Sequence, residues 1–111
     1  MLLVKTKGVN PKSIAAMLEN IVCFELRRGD YEIYIGKNET KKIDFVAVQR
    51  DERIYVQVCC SLAEKYDREV ANLLAIKDYY LKYVATLDDL TVENINSIKL
   101  VHLADFLLGN V

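Results

Sequence analysis

Three polar side chains fall where the apolar pattern of this 111-residue chain leaves no obvious room for them: Glu19, Asp44 and Gln57. Asp44 interrupts the run Ile43–Val48, and Gln57 interrupts Arg53–Cys60. A charge inside a buried strand is costly unless it is paired or bound to a metal, and a buried amide needs hydrogen-bond partners. A carboxylate and an amide oxygen on neighbouring hairpin strands can meet across a sheet face. With a helix glutamate such as Glu19 they would offer hard oxygens to one magnesium ion, which could position and activate water against a phosphodiester. The plainer alternatives stay open. Asp44 and Gln57 could bond each other or cap a backbone group, and Glu19 could be solvated or answer a helix dipole.

The elements that must position these residues follow from periodicity and turn chemistry. Asn10-Pro11 suits a helix start, and Ile14, Met17, Leu18, Ile21, Val22 and Leu26 recur at helical spacing. A first helix is therefore expected over about Pro11–Arg28, stopped by Gly29. Leu2–Val4 is either a short edge strand or a disordered leader. Tyr31–Ile35 is β-branched and aromatic enough for a strand, and Gly36–Lys41 for a turn. Ile43–Val48 is expected as a second strand, with Ile43, Phe45 and Ala47 on one face and Asp44, Val46 and Val48 on the other. Gln49–Glu52 closes a hairpin onto Arg53–Cys60, whose near-continuous apolar character predicts a central strand buried on both faces. Ser61 and Glu64 form a capping box for a second helix reaching about Tyr80, with Glu64–Arg68 and Lys65–Glu69 as supporting pairs. Lys82–Thr86 is expected as a fourth strand, Ile98–Val101 as a fifth, and Ala104–Leu108 as a terminal helix. The order α-β-β-β-α-β-(β)-α predicts an α/β (α+β) domain with a mixed sheet of four to five strands flanked by helices. One domain is expected over 1–111, with its ordered core over about 11–109.

Composition narrows the function classes. A formal net charge of −1 argues against a strong non-specific nucleic-acid binder. Lys37, Lys41 and Lys42 nevertheless cluster around one turn, where they would either contact phosphates or stay solvated. Cys23, Cys59 and Cys60 are odd in number and lack CxxC spacing, which speaks for buried thiols over a disulfide framework or zinc site. His102 has no ligand-like neighbours in sequence. Tyr31, Tyr34, Tyr79, Tyr80 and Tyr83 could stack bases, but core packing accounts for them more simply. No apolar run approaches the ~20 residues of a membrane helix. A cytoplasmic protein with no membrane partner is expected.

The helix Glu19, the strand Asp44 and the pattern Gln57-x-Cys59 on the next strand resemble the PD-(D/E)xK nuclease signature of many restriction enzymes and Holliday-junction resolvases. The strings Leu18-Glu19-Asn20-Ile21-Val22, Tyr34-Ile35-Gly36-Lys37, Ile43-Asp44-Phe45-Val46-Ala47 and Tyr55-Val56-Gln57-Val58 resemble one branch in particular. Ile76-Lys77-Asp78 and Asp105-Phe106-Leu107-Leu108 fit the same branch. It is the C-terminal domain of unknown function that follows a P-loop ATPase module in a large prokaryotic AAA-type family. The resemblance runs from about Leu18 to Gly109 and rests on the order of the strings more than on any one of them. It implies a restriction-endonuclease-like core in which Glu19 is the helix acid, Asp44 the metal-binding aspartate and Gln57 the (D/E) position.

Cys59 then stands where that signature has its lysine. A thiol supplies no fixed positive charge to a developing phosphorane, and losing such a group costs on the order of 10²–10³-fold in rate. No GxxxxGK[ST] is present, so ATP binding is not implied for these residues. The resemblance therefore implies a non-catalytic accessory domain associated with, or derived from, an AAA-type ATPase. No cofactor is expected for it, and its partner would be a P-loop module, another protein or a second copy. The alternatives are an atypical magnesium-dependent nuclease using Glu19, Asp44 and Gln57, and a non-catalytic nucleic-acid-binding module using Lys37, Lys41 and Lys42.

Overall fold

Ser13 starts the first helix. In the computed structural model, which describes residues 1–6, 13–38, 41–59, 70–88 and 94–109, Ser13 is extended (φ −152°, ψ 168°) and its hydroxyl accepts the Ala16 N–H at 3.1 Å. That bond satisfies one of the donors a helix start leaves open. Helix α1 therefore spans Ile14–Arg28. The expected start at Pro11 is corrected, because an extended Ser13 cannot lie inside a helix; Asn10 and Pro11 themselves lie outside the described residues. Gly29 closes α1, its N–H reaching the carbonyls of Glu25 and Leu26 at 3.1 Å. Val22, Cys23 and Leu26 form the buried stripe of α1, and burial pushes the Cys23 thiol pKa up.

The strands are β1 (Leu2–Lys5), β2 (Glu32–Asn38), β3 (Lys41–Gln49), β4 (Glu52–Cys59), β5 (Leu81–Thr86), β6 (Asn94–Ile95) and β7 (Ile98–His102). Among the described residues they form one mixed sheet in the order β1-β2-β3-β4-β5-β7-β6. The sheet is larger than the four to five strands expected. Leu2–Lys5 pairs antiparallel with β2 along its whole length, which is the edge-strand alternative. The two-residue β6 returns onto β7 through Asn96 and Ser97, both at positive φ (48° and 72°), as a type I′ turn requires. Flanked by β1 and β3, β2 runs on to Asn38, past the turn expected from Gly36. From β1 to β4 the pairing is antiparallel; β4, β5 and β7 are parallel. The expected central strand is β4, fourth of seven and buried from Tyr55 to Cys59. Arg50 and Asp51 close the β3–β4 hairpin with Arg50 at φ 54°, without the usual Asn-Gly.

A core lies on each face of the sheet. The first joins Val22, Cys23 and Leu26 of α1 to Ile33, Phe45, Ala47, Val56, Val58, Tyr83 and Ala85. The terminal helix α3 (Leu103–Leu108) closes it with Leu103 and ends on Gly109 at φ 76°. The second core joins Ile43, Val46, Tyr55, Cys59, Val84, Ile98 and Leu100 to Val70 and Leu73. These last two belong to helical residues 70–74, called α2. The expected cap at Ser61, both supporting pairs and Cys60 lie outside the described residues. The helix was expected to reach about Tyr80, but the helical turn ends at 74. Asp78 sets the exit instead: its carboxylate accepts the Tyr80 N–H at 3.0 Å and turns the chain into β5. The whole is a compact α+β structure with a Cα radius of gyration of 12.8 Å, close to the roughly 13 Å expected for its length.

One irregularity positions the polar residues. Tyr34 and Gly36 of β2 pair with Val46 and Ile43 of β3, so Ile35 alone faces both Asp44 and Phe45. This is a β-bulge, which re-aims side chains and breaks a ladder locally. It corrects the expected alternation: Ile43 packs with Val46 in the second core while Phe45 and Ala47 face α1.

Candidate functional site

Asp44 and Gln57 meet at the point where β3 and β4 stop pairing. The last partners in that direction are Phe45 and Val56. Beyond them side chains take the place of ladder bonds. Gln57 Oε1 accepts the Asp44 N–H at 2.6 Å, and Gln57 Nε2 donates to the Lys42 carbonyl at 3.0 Å. Asp44 Oδ2 accepts the Val58 N–H at 2.8 Å. Asn72 of α2 donates to the same Lys42 carbonyl at 3.1 Å. Gln57 is wholly buried, and the Asp44 side chain is 11% exposed, with Lys42 Nζ 3.8 Å from its Oδ1. The plain alternative, polar side chains that cap neighbouring backbone groups, describes the arrangement.

Gln57 and Cys59 share the second-core face, as the strand alternation predicts. Glu19 sits half-buried on α1, one turn before Val22 and Cys23, on the side of the sheet that carries the first core. The sheet thus separates Glu19 from Gln57 and Cys59. Among the described residues no three His, Cys, Asp or Glu side chains converge as metal ligands. Magnesium requires near-octahedral oxygens at about 2.0–2.1 Å. Here Asp44 Oδ2 and Gln57 Oε1 are each aimed at a different backbone N–H, so the donor set does not fit the ion as arranged.

A second polar group, not anticipated from sequence, joins the loop before β5 and Lys82 of β5 to β4. Lys82 is buried and its ammonium donates to Asp78 Oδ1 at 2.9 Å, to the Asp78 carbonyl at 3.1 Å and to the Tyr80 carbonyl at 3.0 Å. It also lies 5.4 Å from the Tyr55 ring centroid. The Tyr55 hydroxyl donates to Asp78 Oδ2 at 2.6 Å and accepts from Arg53 at 3.4 Å. Burial pushes the Asp78 carboxyl pKa up, but the hydrogen bonds from Tyr55, Lys82 and the Tyr80 N–H outweigh it and hold the carboxyl below its ordinary value. Burial also raises the Tyr55 phenol. The sequence carries little signal for it: Lys82 opens the expected strand Lys82–Thr86, and a lysine at a strand end is ordinarily solvated.

A cavity of about 290 Å³ opens on this side of the sheet between Met1, Gly36, Ile43, Tyr55 and residues 72–78. Gly36 lets Met1 fold over the strand, since a Cβ there would come within 2.6 Å of the Met1 sulfur. Of the polar residues that line the cavity, Tyr55, Asp78 and Asn72 are hydrogen-bonded within the protein, and Lys41 is exposed at its rim. Among the described residues no buried side-chain nitrogen or oxygen is left without a partner.

The remaining candidates are distributed. Lys37 lies directly opposite Lys42 across β2 and β3, with Lys41 adjacent, and all three are exposed. His102 caps α3: its Nδ1 accepts the Ala104 N–H at 3.1 Å and its Nε2 contacts the Leu87 carbonyl at 3.2 Å. Nε2 therefore carries the proton. Tyr83 is core, edge-on to Phe106 at 5.6 Å, whereas Tyr79 is exposed and lies 4.8 Å from Tyr80. Among the described residues no helix is long and apolar enough to cross a membrane.

Fold and site together define an α+β domain with a mixed sheet, a helix layer on each face, and a bulge where the central hairpin parts. The chain is similar to an uncharacterized protein of Haemophilus influenzae, with 41% identity over 102 residues. That match covers 92% of this chain but only 24% of the relative's length. No protein-family profile matches the chain, and no solved structure is detectably similar to it.

Proposed function

We propose that this chain is a non-catalytic accessory domain of PD-(D/E)xK-like ancestry, associated with or derived from an AAA-type ATPase. The observation that carries the reading is the use of Asp44 and Gln57. Where a nuclease of that type would hold its metal, both side chains bond the backbone of the parting strands. Cys59, at the position of the missing lysine, is packed in the second core. Scaffold geometry without a charged triad supports interaction over phosphodiester cleavage. The relative's greater length leaves room for an ATPase module beside a domain of this size. Incubation with supercoiled and branched DNA in magnesium or manganese tests the reading. No cleavage is expected, and cleavage that Asp44→Ala abolishes overturns it.

One observation favours a second reading, a nucleic-acid-binding module without catalysis. Like charges directly opposite on a sheet are destabilising, and Lys37 opposite Lys42 beside Lys41 is such a cost, which a bound phosphate would offset. Salt-dependent DNA binding that falls on changing all three lysines to Glu supports this reading. No binding at low salt ends it.

A further inference from the structure

The cavity beside β4 combines apolar walls with an uncommitted charge. Ile43 and the Tyr55 ring line it from the sheet, and Ala75 and Ile76 line it from the chain that follows α2. Gly36 adds no side chain, and a Cβ there would also come within 3.2 Å of Ile43. The volume of about 290 Å³ sits at the small end of the roughly 300–1,000 Å³ of ligand sites, a size for one ring or a short chain. Two charged residues share the lining, Lys41 and Asp78. The Asp78 charge is spent: its carboxylate takes the Lys82 ammonium at 2.9 Å, the Tyr55 hydroxyl at 2.6 Å and the Tyr80 N–H at 3.0 Å. A cation entering the cavity would have to displace Lys82, which is buried in the fold. Lys41 is the opposite case. It is exposed and has no ion-pair partner among the described residues. Two residues before Ile43, it shares that strand face. Lys37 and Lys42, opposite each other across β2 and β3 beside it, add positive potential at the same edge.

We propose that this cavity binds a small organic carboxylate, with its apolar body against Ile43, Tyr55, Ala75 and Ile76 and its carboxylate on Lys41. The division of labour follows from the lining. Burial of the apolar body supplies most of the affinity, and the lysine at the rim selects the sign of the charge. A nucleic-acid phosphate is polar throughout and would stay on the exposed lysines without entering the cavity. The proposal does not depend on the accessory-domain reading, which uses Asp44, Gln57 and Cys59.

Fluorine NMR of para-trifluoromethyl benzoate, with para-trifluoromethyl benzamide as its uncharged counterpart, tests the proposal on the whole chain. The benzoate is expected to bind saturably and about fivefold more tightly than the benzamide, the worth of one exposed ion pair. Lys41→Met is expected to erase that preference and leave benzamide binding as it was. Ala75→Trp, which puts a large ring into the cavity, is expected to abolish binding of both probes. Lys41 and Ala75 are exposed, so both variants should keep the native melting temperature. No saturable shift with either probe overturns the proposal. So does equal affinity for the two probes, or benzoate binding that Ala75→Trp spares. Displacement of the benzoate by inorganic phosphate at matching concentration also overturns it, since the lysines would then hold any anion without the cavity.

Discussion

The two polar groups around the central hairpin and β5 solve the same problem in different ways. At Asp44 and Gln57, buried side chains bond backbone groups of strands that have parted. At Tyr55, Asp78 and Lys82, side chains largely bond one another, with a buried cation held by a carboxylate and two carbonyls. The first group is a splice in a ladder, and its strength is that of neutral and singly charge-assisted hydrogen bonds. The second is an ion pair taken partly out of water, where removing one partner leaves the other stranded. A polar residue inside an apolar strand therefore marks a place where partners had to be built in, and only its partners tell whether it awaits a ligand.

The largest expected effect separates the two partners of the ion pair. Asp78→Ala should cost about 3 kcal/mol, because the buried Lys82 ammonium keeps only carbonyl partners. Lys82→Met should cost about 1 kcal/mol, since Asp78 retains Tyr55, the Tyr80 N–H and some solvent. Urea unfolding of both variants checks this order, and equal costs would mean that the pair is solvated. Next comes Gln57→Leu, which leaves the Asp44 N–H without its acceptor and should cost about 2 kcal/mol. Asp44→Ala should cost about 1–2 kcal/mol by orphaning the Val58 N–H, whereas Asp44→Asn, whose amide oxygen still accepts, should cost well under that. An Asp44→Asn cost as large as that of Asp44→Ala would mean that the charge matters, and would turn attention back to a metal.

The smallest effect is a pH window. The Asp78 carboxyl titrates below its unfolded value, so its contribution is present above that value and fades as pH falls through the folded one. A modest loss of stability should therefore appear below about pH 4, and Asp78→Asn should remove that part of the acid dependence.

Local pattern placed α1, β3, β4, β5, β7 and α3 to within a few residues. Helical spacing and strand composition depend on near neighbours, which is why those elements were legible. Two turn positions were not. Ser13 displaced Pro11 as the start of α1 because a hydroxyl bond to Ala16 fixed the first turn. The end of α2 moved from about Tyr80 to 74: the Ala75 N–H bonds the Ala71 carbonyl, the Ile76 N–H closes onto the Leu73 carbonyl, and Asp78 then takes the Tyr80 N–H. Asp44 and Gln57 were legible as a pair, since both break an apolar run on adjoining strands. Their role was not, because it depends on where the β3–β4 ladder stops and on the bulge opposite Ile35.

By itself the sequence determined an α+β chain with a buried central strand, no carboxylate at Gln57 and no ammonium at Cys59, and inert-looking thiols. Only the tertiary structure decided that β1 closes the edge, that Ile43 changes face, that Glu19 and Gln57 lie on opposite sides of the sheet, and that Lys82 is buried. The reason is physical. Periodicity reports which side chains prefer to leave water, but the partner of a buried polar group comes from strands and loops distant in sequence, and those meet only on folding.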